Sequence, residues 1–125
     1  MKLTFIDAGK KVRYYKKPSA RVYSTGRLVF NTRARELIGK KNLYFDVAIQ
    51  ENADRLTVCM VVSSTTQTIG RPAPIRLKND GKYSYIPFAG IKEYLGDSIE
   101  GKELVFDVRK DKHDDRDMFV LSLRD

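Results

Sequence analysis

The sequence predicts a mainly β domain with short helices, built from two related β-β-α-β-β halves about a pseudo-twofold axis. Three observations predict it. Short runs rich in Val, Ile, Tyr and Phe alternate with turn residues such as Gly, Asn and Asp along the chain. The order strand, turn, strand, helix, strand, strand occurs twice. A length of 125 residues suffices for one modest core but leaves each half too small to bury a core alone, so the halves are expected to pack on each other as two subunits would.

Residues 1–20 lie outside the duplication and form a basic N-terminal extension, in which residues 3–6 are a candidate added strand. The first repeat covers residues 21–62. Here residues 21–24 and 27–30 are β-prone and flank a tight turn at Thr25-Gly26. Asn31 or Thr32 then caps a short helix, because its side-chain oxygen accepts from a first-turn N–H that has no partner within the helix. Ala34, Leu37 and Ile38 recur at helical spacing, and Gly39 stands where a left-handed cap favours glycine. Leu43, Phe45, Val47 and Ile49 alternate with Tyr44, Asp46 and Ala48, the period of a half-buried strand. Residues 51–54 turn the chain into the returning strand at 55–62.

Residues 63–74, with Ser, Thr, Gly70, Pro72 and Pro74, read as a linker. The second repeat, 75–125, runs through a strand at 75–78, the turn Asn79-Asp80-Gly81, a strand at 82–86, a helix beginning near Pro87 and a strand at 104–108. Residues 109–117 read as a solvated hairpin loop around His113, before a last strand at 118–123. The repeats match by type at Gly26-Arg27 and Gly81-Lys82, at Ile38-Gly39 and Leu95-Gly96, and at Phe45-Asp46-Val47 and Phe106-Asp107-Val108.

Charge is distributed unevenly. Of the 24 basic side chains twelve fall within residues 1–41, against Asp7 and Glu36 alone, so that segment carries +10; the remaining twelve basic and fourteen acidic residues give −2. A block of one sign raises the local potential and attracts polyanions, which a solubilising bias spread along the chain would not do. Lysines and arginines on one surface bind phosphates and release condensed counterions, and arginine adds a two-pronged donor. Tyr14, Tyr15 and Tyr23 lie among these cations and are candidates for stacking on unpaired bases.

Other classes are disfavoured. The longest apolar stretch, residues 56–62, is too short for a membrane span, and the start does not read as a signal peptide, so a cytoplasmic protein is expected. Cys59 cannot pair internally and is expected to be a small buried hydrophobe. His113 with Asp111, Asp114 and Asp115 sits in a run of alternating charge, which suits a solvated surface better than a metal site. With no phosphate-binding glycine loop and no hydrolase serine motif, the chain is expected to be non-enzymatic and to need no cofactor.

The run Gly26-Arg27-Leu28-Val29-Phe30-Asn31-Thr32-Arg33-Ala34-Arg35-Glu36-Leu37-Ile38-Gly39 resembles the AbrB-type swapped-hairpin signature, and residues 100–106, Glu-Gly-Lys-Glu-Leu-Val-Phe, look like that family's approach to its third strand. Two copies in one chain resemble the MraZ arrangement. The resemblance is moderate over 22–62 and loose over 75–123. It implies a swapped-hairpin-like barrel and a DNA-binding regulator or accessory factor, with Arg27 and Arg35 matching the family's basic positions. Glu36 departs from a common basic position, and Asn31 replaces the usual proline.

The expected ligand is therefore nucleic acid, foremost duplex DNA. The candidate binding residues are Lys10, Lys11, Arg13, Tyr14, Lys16, Lys17, Arg21, Arg27, Arg33 and Arg35. Single-stranded DNA or RNA held by stacking tyrosines is the alternative within this class. A protein-interaction module whose basic front meets an acidic protein is the alternative outside it. Strand edges left open by such a barrel allow a homodimer.

Overall fold

The computed structural model describes residues 1–5, 17–39, 43–50, 54–63, 72–81, 83–96 and 103–124. Its strands are β1 (Ser19–Val22), β2 (Arg27–Phe30), β3 (Tyr44–Gln50), β4 (Thr57–Val62), β5 (Ile75–Arg76), β6 (Lys78–Asp80), β7 (Tyr83–Pro87), β8 (Val105–His113) and β9 (Arg116–Leu123). Two short helices, α1 (Thr32–Ile38) and α2 (Ala89–Leu95), follow β2 and β7.

All nine strands join one antiparallel sheet in the order β5-β3-β4-β9-β8-β1-β2-β7-β6. The ends of that order, β5 and β6, are separated in the chain by Leu77 alone, whose N–H donates to the Leu43 carbonyl at 2.8 Å. One extended run therefore pairs first with β3 and then with β7, and the sheet curls into a nearly closed barrel.

Period-two alternation fills the interior. Ala20, Leu28, Phe30, Phe45, Val58, Met60, Ile86, Phe106, Phe119 and Leu121 point inward and are almost wholly buried, while Ala34 and Ile38 of α1 and Ile91 of α2 join the same core. Five phenylalanines anchor it, each 2% exposed or less. Burying such a ring contributes about 1.5–3 kcal/mol relative to leaving it in water. Phe45 and Phe119 meet edge-to-face at 5.9 Å between centroids, and Phe88 and Phe106 tilt at 6.2 Å.

The helices are held differently. Asn31 caps α1, its Oδ1 accepting from the Ala34 N–H at 2.8 Å and from the Ser19 N–H at 3.1 Å. Its Nδ2 donates to the Lys17 carbonyl at 2.9 Å and to Ser19 Oγ at 2.8 Å. One amide thus fastens the start of the helix to the start of β1. Phe88 at the head of α2 supplies no side-chain cap. Both helices end in a glycine at positive φ, Gly39 at 90° and Gly96 at 60°, a region where a Cβ is unfavourable.

Several expectations need correction. Residues 1–5 are exposed and join no strand, with Leu3 65% and Phe5 90% exposed; Ile6 lies outside the described residues. The first strand starts at Ser19, inside the expected extension, because Ser19 and Ala20 pair with Asp107 and Phe106 of β8. Asn79 and Asp80 belong to β6, with Asp80 opposite Tyr83, so that hairpin closes later than the turn residues suggest.

The supposed loop at 109–117 is mostly strand. β8 and β9 continue as a paired ribbon to His113 and Arg116, closed by Asp114 and Asp115 at φ 48° and 63°. Two consecutive positive φ values favour the short polar side chains of Asp or Asn in a two-residue turn. The missing cue was hydrophobic alternation, which a ribbon solvated on both faces does not need. Cys59 is half-buried, because it faces out of the barrel between two fully buried neighbours, Val58 and Met60. That partial burial pushes its thiol pKa up, and Arg109 opposes the shift. Most of the expected linker, residues 64–71, lies outside the described residues.

Candidate nucleic-acid interface

Because Ala20, Leu28 and Phe106 point into the barrel, Arg21, Val29, Tyr85 and Val105 point out of it. The registers set Val105, Arg21, Val29, Tyr85 and Lys78 side by side across β8, β1, β2, β7 and β6. Over this outer face opens a cleft of about 910 Å³. Lys17, Arg21 and Arg33 line it from the front of the chain and Arg124 from the far end. Arg124 is brought there by its N–H, which donates to the Val105 carbonyl at 2.8 Å.

Each guanidinium has a carboxylate partner. Arg21 pairs with Glu103, Arg33 with Glu36 at 3.3 Å, and Arg124 with Asp107 at 2.7 Å. Both members of every pair are at least 43% exposed at the side chain. Exposed pairs of this kind stabilise by only about 0–1 kcal/mol, so an incoming phosphate can replace the carboxylate without disturbing the fold. Among the described residues the cleft's four cations outnumber the three carboxylates that pair with them, and the basic run ending at Lys17 adjoins it in sequence.

Two tyrosines border the same cleft. Tyr23, just past β1, is 50% exposed and Tyr83, at the start of β7, is 57% exposed. Tyr85 lies beside them under the Arg27 guanidinium, 4.5 Å from the ring centroid, a cation–π contact.

Of the residues picked from sequence, Lys17, Arg21 and Arg33 come together in the cleft, and Arg27 stands on the same outer face over Tyr85. Arg35 does something else. Its Nε donates to Ser84 Oγ at 3.1 Å and its Nη2 to the Gly81 carbonyl at 3.0 Å, so it ties α1 to the β6–β7 hairpin. Lys10, Lys11, Arg13, Tyr14 and Lys16 lie outside the described residues, as does Tyr15.

Sequence reasoning missed Arg124 and Tyr83. Tyr83 had a legible cue, since it alternates with the apolar Ile86 through Ser84 and Tyr85 as an outward strand position. Arg124 had none, since only the barrel brings the C-terminal end beside β1 and β8. A second cleft of about 680 Å³, largely apolar, lies between β3 and α2 near Ile75 and Tyr94. It holds no cation. Among the described residues no helix is long and apolar enough to cross a membrane, and no three His, Cys, Asp or Glu side chains gather into a metal site.

No family model matches the chain, and no curated protein and no solved structure matches it.

Proposed function

We propose that the chain binds nucleic acid, with the phosphates seated in the cleft over β1 and β2. The observation that carries this reading is convergence: Lys17, Arg21 and Arg33 share one concave face with Arg124 from the other end of the chain. A solvated charged surface without a ligand has no need of concavity or of cations gathered from separate elements. The role is binding and not catalysis, the charged groups of the cleft being exposed ion pairs open to exchange with phosphate.

We also read the barrel as two copies of one β-β-α-β-β unit in a swapped-hairpin-like arrangement. What supports this is the strand order. Exchanging β1 through β4 with β5–β6, β7, β8 and β9 gives the same ring read backwards. The seven-residue helices, each ended by glycine, fit the exchange as well. In the AbrB and MraZ type this frame serves duplex DNA, and a regulator or accessory factor of the cytoplasm is the corresponding role. In this chain Arg27 and Arg35, the positions that the resemblance picks, are engaged with Tyr85 and with Ser84 and Gly81. The cleft cations, whose partners are exposed carboxylates that a phosphate can replace, are the better candidates for phosphate.

The test is fluorescence anisotropy of labelled DNA at low and moderate salt. Binding that weakens steeply with salt, and weakens further in Arg21→Ala and Arg33→Ala, is the expected result. Absence of binding at low salt overturns the reading. Retention of an acidic protein from nuclease-treated extract, with no affinity for DNA, would transfer the cleft to a protein partner.

A further inference from the structure

We infer that the cleft takes unpaired nucleotides, with Tyr23 and Tyr83 as stacking platforms and the cleft cations on the phosphates. The inference rests on the nucleic-acid reading and adds the form of the ligand. Tyr23 hydrogen-bonds through its backbone to Arg27, at the start of β2, and the β2–β7 register carried one step beyond Phe30 and Ser84 sets Tyr83 opposite Asn31. From residue 27 to residue 31 an extended chain rises about 13 Å, so the rings stand at opposite ends of the β2 face rather than against each other. Arg21 and Val29 lie between those ends on the same outward side.

Both rings are half in water, whereas Tyr85 on the same face is covered by Arg27. A ring left open beside guanidinium groups offers a flat apolar surface within reach of phosphate contacts, which suits a base on a flexible backbone. A duplex keeps its bases stacked on one another and offers phosphates and groove edges instead, so it would leave both rings unused. Concavity argues the same way, since a half-open hollow of about 910 Å³ has room for a few nucleotides of single strand, while a duplex needs a broad face. The carboxylates of Glu36, Glu103 and Asp107 hold the guanidinium groups until phosphate replaces them.

The experiment compares a labelled oligothymidylate with a hairpin duplex of equal phosphate count, using the full chain. Wild type, the double variant Tyr23→Leu with Tyr83→Leu, and the matching double Phe variant are each measured at two salt concentrations, with thermal melting to verify folding. Tighter binding of oligothymidylate is expected, roughly tenfold weaker in the Leu variant and preserved in the Phe variant. The salt slope should be unchanged by either, because a neutral ring releases no counterions. If duplex binds as well as oligothymidylate, or the Leu variant binds oligothymidylate like wild type, the inference is overturned and the nucleic-acid reading stands. If neither probe binds at low salt, that reading fails and takes this one with it.

Discussion

Two charged hairpins of this barrel, β1–β2 and the outer half of β8–β9, invite comparison. The ribbon from Arg109 to Asp117 carries four basic and four acidic side chains, excluding His113. Most of its charges answer one another locally, Arg109 with Asp111 at 2.9 Å and Lys110 with Asp117 at 3.7 Å, while Arg116 reaches Asp46 of β3 at 3.2 Å. The cleft over β1 and β2 has fewer described charges, but they come from separate elements, lean positive and border a hollow with two open tyrosines. On the proposed reading, charge density alone does not distinguish a binding face from a solvated one, and the ordering of sign and the shape beneath it do.

The largest expected effect separates the two regions directly. Reversing Arg21 and Arg33 to Glu is predicted to weaken oligonucleotide binding by roughly a hundredfold at low salt and to flatten the salt dependence, since each lost phosphate contact removes about 0.7–0.9 from the slope. Reversing Arg109 and Lys112 should change affinity by less than about threefold, a long-range field effect that salt screens. Comparable losses in both variants would mean that net charge, and not the cleft, governs binding.

The next prediction concerns how the cleft is built. Asn31→Ala removes the cap of α1 and the fastening of that helix to Ser19 and Lys17, and should lower stability by about 2 kcal/mol in denaturant unfolding. A loss under about 0.5 kcal/mol would show that α1 is positioned by its buried Ala34 and Ile38 alone.

Smaller effects are expected at the ribbon. Asp115 sits at φ 63°, so Asp115→Gly should stabilise by about 0.5 kcal/mol in thermal or denaturant melts and leave binding unchanged. At the root of the ribbon, burial raises the Cys59 thiol pKa and Arg109 opposes the rise. Alkylation of Cys59 should thus reach half its maximal rate above the pH typical of a free thiol, and Arg109→Ala should move that midpoint higher still. A downward movement would show that Arg109 does not act on the thiol electrostatically.

Much of the fold was legible in the sequence where one physical signal dominates. Alternation placed β3, helical spacing with Gly39 placed α1, and Gly26 at φ 80° was marked by its residue type. Legibility failed where the deciding interaction is long-range or where no face is buried. Residues 109–117 hid a paired ribbon because neither of its sides needs apolar residues. Residues 3–6 promised a strand on hydrophobicity alone, but strand formation needs a partner edge, and among the described residues none pairs with residues 1–5. The cleft was half legible: Arg21 and Arg33 could be picked from the basic block, whereas Arg124 arrives only through its bond to Val105. Arg35 shows the converse, a basic residue in the right block that the fold uses to join α1 to a hairpin.

Amide chemical-shift mapping during titration with a short single-stranded oligonucleotide tests the central claim most directly. The predicted result is a contiguous set of shifts at Arg21, Tyr23, Val29, Tyr83 and Arg124, with the amides from Lys110 to His113 unmoved. Shifts concentrated on the β8–β9 ribbon, or scattered over the barrel with the cleft silent, would contradict it.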